Sequence, residues 1–360
     1  MKLKPGWRHV KLSDIAKIKS GSTPLRAEGE RYFSTAGTPW VKTLDLNNGE
    51  IISTDEKITD TALLETSCSV FPVGTVLVAM YGGFNQIGRT GLLTIPAAIN
   101  QALSGLILDR DKAEPAYILN YLNGNVKLWK KFAASSRKDP NITRDDVCGF
   151  PVLLPPLAEQ KKIAKILSTW DNAISVTEKL LANSQRQKKA LMQQLLTGQK
   201  RLLDENGVRF SGEWVYLTFD NAFIVANKKS TQVKSSDYLQ SGSIPIIDQG
   251  QSRIAGYCNN LEVYSDVPVI VFGDHTRCVK WIEFVFCPGA DGTQVIKTSK
   301  ILEPKLGYYL LSNTDIPNLG YSRHMRELKE KDFRLPLDIK EQQKIAAVLS
   351  AADAEISTLE

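Results

Sequence analysis

The sequence predicts an α+β protein: two β-rich α+β domains joined by long helices that form an antiparallel coiled coil, in a pseudo-two-fold internal repeat. Three observations carry this. One segment recurs near the end of the chain, each copy opens a stretch with helical periodicity, and the residues between read as short strands broken by turns.

The repeat is explicit. Residues 159–174 read EQKKIAKILSTWDNAI and residues 341–356 read EQQKIAAVLSAADAEI, identical at nine of sixteen positions without a gap. A leucine–proline approach precedes each copy, LLPPLA at 153–158 and LPLDIK at 335–340. Fainter echoes lie upstream, Glu114-Pro115 against Glu303-Pro304 and GWRHVKLSDIA (6–16) against GEWVYLTFDNA (212–222). Two units of this size are a duplicated domain plus helix, not a solenoid.

The strong part of the repeat is helical. No Gly or Pro occurs from Leu157 to Thr197, with Pro155-Pro156 before and Gly198 after as start and stop signals. One face carries Ile163, Leu167, Trp170, Ile174, Thr177, Leu181, Ser184, Lys188, Leu191 and Leu195. Steps of four and three alternate along it, which is a coiled-coil seam. The second copy continues the register with Ile345, Leu349, Ala352, Ile356 and Leu359, over only about half the length. A heptad helix by itself fits a dimerisation stalk or a spacer. Two of them in one chain, each after a globular unit, favour the spacer.

The globular units contain runs such as TVLVAMY (75–81), ALSGLIL (102–108), VPVIVFG (267–273) and WIEFVF (281–286). Val, Ile, Phe and Tyr between Gly and Pro favour strands, and short helices are expected near 115–132 and 303–312. The division is residues 1–152, a first spacer helix over 153–200, a second β-rich unit over 201–335 and a short second helix over 336–360.

Composition narrows the class. The 360 residues are 42% apolar and 23% charged, with a net charge of +6, so the chain is globular and its charge permits an anionic partner without requiring one. The first residues show no apolar signal core, and five cysteines without a C-x-x-C pair suit a reducing cytoplasm. The uncharged run 66–88 contains Pro72, Gly74, Gly82 and Gly83, so it reads as a buried strand and turn, not a membrane span. With three histidines and no clustered cysteines, neither a metal site nor a bound cofactor is expected.

Catalytic motifs are weak. Gly83 to Thr90 mimics a phosphate-binding loop, but Arg89 replaces the lysine and GLLTIPAAIN follows where a helix is required. His275 has Asp274 and Cys278 nearby but no second base, which favours a polar loop between strands. Nucleic acid suits the polar loops better. In MYGGFNQIGRT (80–90), Tyr81, Asn85, Gln86 and Arg89 are candidates for base readout, and GDHTR (273–277) offers His275, Thr276 and Arg277. SSRKDPNITR (135–144) and YSRHMR (321–326) precede the two helices and supply Lys138, Arg144, Arg323 and Arg326 as candidate phosphate contacts.

These residues carry a family resemblance. The junction LLPPLAEQKKIAKILSTWDNAI, the helix end LMQQLLTGQKRL and the following FSGEW resemble the specificity subunit of a type I restriction–modification system. VLVAMYGGFNQIGRTGLL with Asn100-Gln101, and FGDHTRCVKWIEFVFCPGADG, resemble the core strands of that family's target-recognition domains. The resemblance implies a non-catalytic subunit on double-stranded DNA. Each domain would read half of a split target, and the helices would set the gap and dock methyltransferase subunits that use S-adenosylmethionine. A restriction and translocase subunit would join the complex. In agreement, the chain lacks the D/N/S-P-P-Y/F pattern of adenine methyltransferases, Asp139-Pro140-Asn141-Ile142 being the nearest approach. A stand-alone DNA-binding or scaffold protein with two modules on a coiled coil is the alternative.

One departure from the family pattern is the short second helix. An antiparallel partner of that length reaches only about residues 178–197, leaving Ile163, Leu167, Trp170 and Ile174 uncovered. A methyltransferase helix or a second copy of the chain is expected to cover them.

Overall fold

A computed structural model describes residues 3–134, 141–318, 320 and 323–360. It divides into two compact units, residues 1–174 and 175–360.

In the first unit the alternating strands build a five-stranded sheet, ordered Ala16–Ser20, Leu103–Leu108, Val76–Ala79, Thr90–Leu93 and Glu50–Ile51. The strand Val76–Ala79 is buried at every position, as a central strand requires. Beside it a four-stranded sheet contains Thr38–Val41, which pairs in parallel with Ala98–Ile99. Arg8–Lys11 pairs antiparallel with Pro151–Leu154. The helices of the unit include Pro115–Gly124, Val126–Ala134 and Arg144–Gly149. Pro115 sits in the first turn, where its missing N–H costs nothing. Thr143 and Asp146 close a capping box at the start of the third helix.

The second unit repeats the plan. Its larger sheet is ordered Phe223–Val225, Thr293–Thr298, Val269–Gly273 and Val279–Ile282. Ile244–Ile247 pairs in parallel with Cys287–Pro288, and Trp214–Thr218 pairs antiparallel with Asp332–Pro336. The region expected to be helical near 303–312 is the helix Pro304–Ser312, again with proline in its first turn.

The repeated E-Q of the two helix starts has a physical cause. Gln160 and Gln342 are fully buried. Gln160 accepts from the Glu114 N–H at 2.9 Å and donates to the carbonyls of Lys112 and Pro155. Gln342 accepts from the Glu303 N–H at 2.7 Å and donates to the carbonyls of Ile301 and Pro336. One side chain thus satisfies three buried backbone groups in each unit and ties the helix start to the Glu-Pro corner.

The helix Leu157–Leu196 runs for 40 residues and contributes to both units. Within the second unit the helix Ile339–Leu359 lies antiparallel to its later part. Ser184 bonds Glu355 at 3.0 Å, Lys188 pairs with Asp353, and Leu195 and Leu196 share a core with Ile345, Ala346 and Leu349. Arg201, just past the helix, clamps the buried Glu341 through two nitrogens. Leu181, Leu191 and Ile356 are half-buried.

The early part of the seam corrects one expectation. Ile163 is not left uncovered: it is half-buried and packs on the core of the first unit. Heptad spacing marks which face is apolar but not what lies opposite it. Leu167, Trp170 and Ile174 are 40%, 66% and 55% exposed.

Candidate nucleic-acid interface

In the first unit four polar segments meet at one end of the central strand. The strand Val76–Ala79 leads into residues 80–90, and the Met80 N–H donates to the Ala102 carbonyl at 2.8 Å. The Met80 carbonyl accepts from Ile142 N–H at 3.0 Å, which brings in residues 141–144. Asn100 N–H donates to the Val41 carbonyl at 2.9 Å, continuing the parallel pairing and bringing residues 42–45 alongside. Four segments far apart in sequence are therefore fixed by backbone bonds.

The tip of the 80–90 loop is exposed at Tyr81, Phe84 and Asn85, whereas Gln86 and Arg89 are half-buried. Arg89 N–H donates to the Gln86 carbonyl, closing the turn. Gly88 has φ of 78°, and a Cβ there would lie 2.6 Å from Trp129 Cδ1, so only glycine lets the loop rest on that indole. Thr90 enters the strand Thr90–Leu93, so a strand and not a helix follows this loop and the phosphate-loop reading fails. Arg144 is exposed at the start of its helix, with one guanidinium nitrogen donating to the Ile18 carbonyl at 3.1 Å. Lys138 lies outside the described residues.

Electrostatically, the 42–45 corner is polar but balanced. Salt-bridged hydrogen bonds from Arg26 and Lys42 hold the Glu56 carboxyl below its usual range, and burial pushes the Asp45 carboxyl up.

The second unit assembles the same four segments with the same bonds. Asp274 N–H donates to the Gly292 carbonyl at 2.7 Å, and the Asp274 carbonyl accepts from His324 N–H at 2.8 Å. Gly289 N–H donates to the Ile247 carbonyl at 2.9 Å, which brings residues 248–253 alongside. Asp274 is buried and its Oδ1 accepts from Met325 N–H at 2.7 Å. His324 is fully buried, and its Nδ1 must carry the proton, because its partner at 2.8 Å is the Asp274 carbonyl.

The candidates of the second unit fall into two kinds. His275 and Arg277 are half-buried, and Arg277 donates to the Ile316 carbonyl at 2.9 Å. Thr276 is exposed and its hydroxyl donates to the Gln249 carbonyl. Arg323 and Arg326 are exposed, Arg326 lying 3.5 Å from Glu330.

Residues 248–253, Asp-Gln-Gly-Gln-Ser-Arg, are part of this cluster and were not expected from sequence. His275 N–H donates to Gln249 Oε1 at 3.1 Å, and Gln251 and Arg253 are exposed beside them. The available signal was a polar loop after the apolar run IPII, the counterpart of TPWV before Lys42. Among the described residues no group of three or more His, Cys, Asp or Glu could hold a metal ion, and no helix is long and apolar enough to cross a membrane.

Residues 4–183 match the family model described as the type I restriction modification DNA specificity domain. The putative type I restriction enzyme MjaX specificity subunit of Methanocaldococcus jannaschii is 26% identical over 309 residues, covering 78% of this chain and 72% of that protein. The EcoR124I/EcoR124II specificity subunit of Escherichia coli is 23% identical over 175 residues, 47% of this chain and 42% of its own length. Against some relatives, then, the match spans less than half of their length. Among solved structures, the type I restriction–modification S subunit of M. genitalium aligns with a TM-score of 0.64 at 15% identity, covering all of this chain and 93% of that one, which shows a shared fold.

Proposed function

This chain belongs to the type I restriction–modification DNA specificity family, and from that premise we propose that its two units each read one half of a bipartite DNA target. The observation that carries this reading is the doubled site: two units gather four equivalent polar segments through equivalent backbone bonds, Met80 to Ala102 and Ile142 in one, Asp274 to Gly292 and His324 in the other. A protein that reads a split sequence needs one such surface per half. The chemistry of the loop side chains fits the task. Asn85 and Gln86 suit adenine edges, Arg89 suits guanine, and His275, Thr276 and Gln249 supply a second set of donors and acceptors. Arg144, Arg323 and Arg326 contact phosphates and fix register without carrying sequence information.

In this reading the chain binds and positions while partner subunits do the chemistry. Methyltransferase subunits dock on the long helix, where Leu167, Trp170 and Ile174 form an exposed apolar stripe. A restriction and translocase subunit joins through that complex. The helix of 40 residues, about 60 Å at 1.5 Å per residue, acts as the ruler between half-sites.

Methylation mapping tests both parts. The cognate methyltransferase subunit, expressed with and without this chain in a host lacking adenine methylation, is expected to modify a split motif only when the chain is present. A four-residue insertion after Asn172, in the exposed stretch before Ser184 pairs with Glu355, is expected to lengthen the gap and leave both halves unchanged. Methylation independent of the chain, or a gap indifferent to the insertion, counts against the reading.

A further inference from the structure

Lys280 is the most deeply buried lysine at the second unit's site, 8% exposed, in the strand Val279–Ile282. Alternation along that strand puts it on the same face as the buried Ile282. A lysine so placed must use its ammonium donors or pay the full cost of burial. Its Nζ donates to the Asp248 carbonyl at 2.8 Å and the Ser252 carbonyl at 2.7 Å, with Asp248 Oδ1 at 3.8 Å. Those two carbonyls bracket the loop that carries Gln249 and Gln251. Burial lowers the affinity of this amine for its proton, and Asp248 opposes that shift.

The first unit has a different residue at this place. Lys280 stands opposite Val271, and the counterpart of Val271 is Leu77, which stands opposite Gly91. A Cβ on Gly91 would lie 2.4 Å from Ile51 Cδ1 and 2.9 Å from Leu46 Cδ2, so apolar side chains of residues 46–51 fill the space the lysine occupies in the second unit. The lysine is thus a local solution, not a requirement of the sheet.

We propose that Lys280 is a positioning residue for base recognition by the second unit: its ammonium latches residues 248–252 from beneath, and the register of that loop sets which bases the second half-site accepts. The latch rests on the reading of the chain as a two-half DNA reader. It implies that the second half of the target is specified partly by a residue that never touches DNA.

The test uses the full chain with its methyltransferase subunit, mapping methylation genome-wide for wild type, Lys280→Met and Lys280→Arg. Hydrogen exchange is followed on the same proteins. Lys280→Met keeps the volume and removes the donors. It is expected to relax the second half-motif, with methylation of non-matching second halves rising at least tenfold while the first half stays unchanged. Amides of 249–253 are expected to exchange at least tenfold faster, with the strand Val269–Gly273 unaffected. Lys280→Arg, which retains the charge and the donors, is expected to restore most of the wild-type preference. Unchanged preference and unchanged loop exchange in Lys280→Met overturn the latch. If Lys280→Met unfolds the unit, Lys280→Arg decides: retained second-half preference supports the latch, and loss equal to that of Lys280→Met overturns it. A wild-type chain that directs no split motif removes the two-half reading instead, and loop exchange alone then judges the latch.

Discussion

The two units hold equivalent loops by opposite physical means. In the first, the loop after the central strand rests on an indole: Gly88 lies against Trp129, which stacks on Phe150 at 3.9 Å, and Gly91 admits Ile51 and Leu46. In the second, polar groups do the holding: the Asp274 carboxylate takes the Met325 N–H beside the loop after the central strand, and Lys280 takes two carbonyls of the neighbouring 248–252 loop. The backbone frame is common to both, so a duplicated domain can change how its loops are supported while keeping where they sit. Apolar support depends on shape and volume, polar support on charge and donors, and the two should fail under different substitutions.

The largest expected effect breaks the apolar side of this comparison. Trp129→Ala removes a fully buried indole and leaves a cavity under Gly88, costing about 3–5 kcal/mol. Denaturant unfolding of the full chain should show the loss, and protection of residues 83–88 from hydrogen exchange should fall before that of residues 274–277. Equal loss in both loops would mean that the two supports are not independent.

A smaller effect breaks the polar side. Asp274→Ala keeps the carbonyl bond to His324 but leaves Met325 N–H without its acceptor, at a cost of about 1–3 kcal/mol. Thermal unfolding should register it, with residues 323–326 loosened and residues 141–144 unchanged. A change confined to the first unit would contradict the assignment.

The smallest effect on stability comes from the exposed arginines. Arg323→Ala and Arg326→Ala should each shift stability by no more than about 0.5 kcal/mol. Each should nonetheless lower the slope of log affinity against log salt by about one if it contacts a phosphate. An unchanged slope removes that residue from the interface.

Much of the frame is legible in the sequence because it is written locally. The repeat, the proline-marked helix starts and the heptad seam each lie within a few turns of chain. The buried Gln160 and Gln342 explain why the E-Q pair recurs. What sequence misses is set by distant pairing. Residues 248–253 join the site only because Ile244–Ile247 pairs in parallel with Cys287–Pro288, some forty residues later. The burial of Lys280 is set by its neighbours on the face of its strand, which lie far from it in the chain. The side chains of Arg144 and Arg277 look free in sequence, yet each spends a donor on a backbone carbonyl, Ile18 and Ile316. Ile163 looks unpartnered from heptad spacing but lies against its own unit.

The most direct measurement of the central claim compares methylation maps of two loop variants of the full chain, Asn85→Ala with Gln86→Ala in the first unit and Gln249→Ala in the second. Two readers of two half-sites require that the first variant alter base preference in one half only and the second variant in the other half only. A change spread over both halves by either variant would contradict the account.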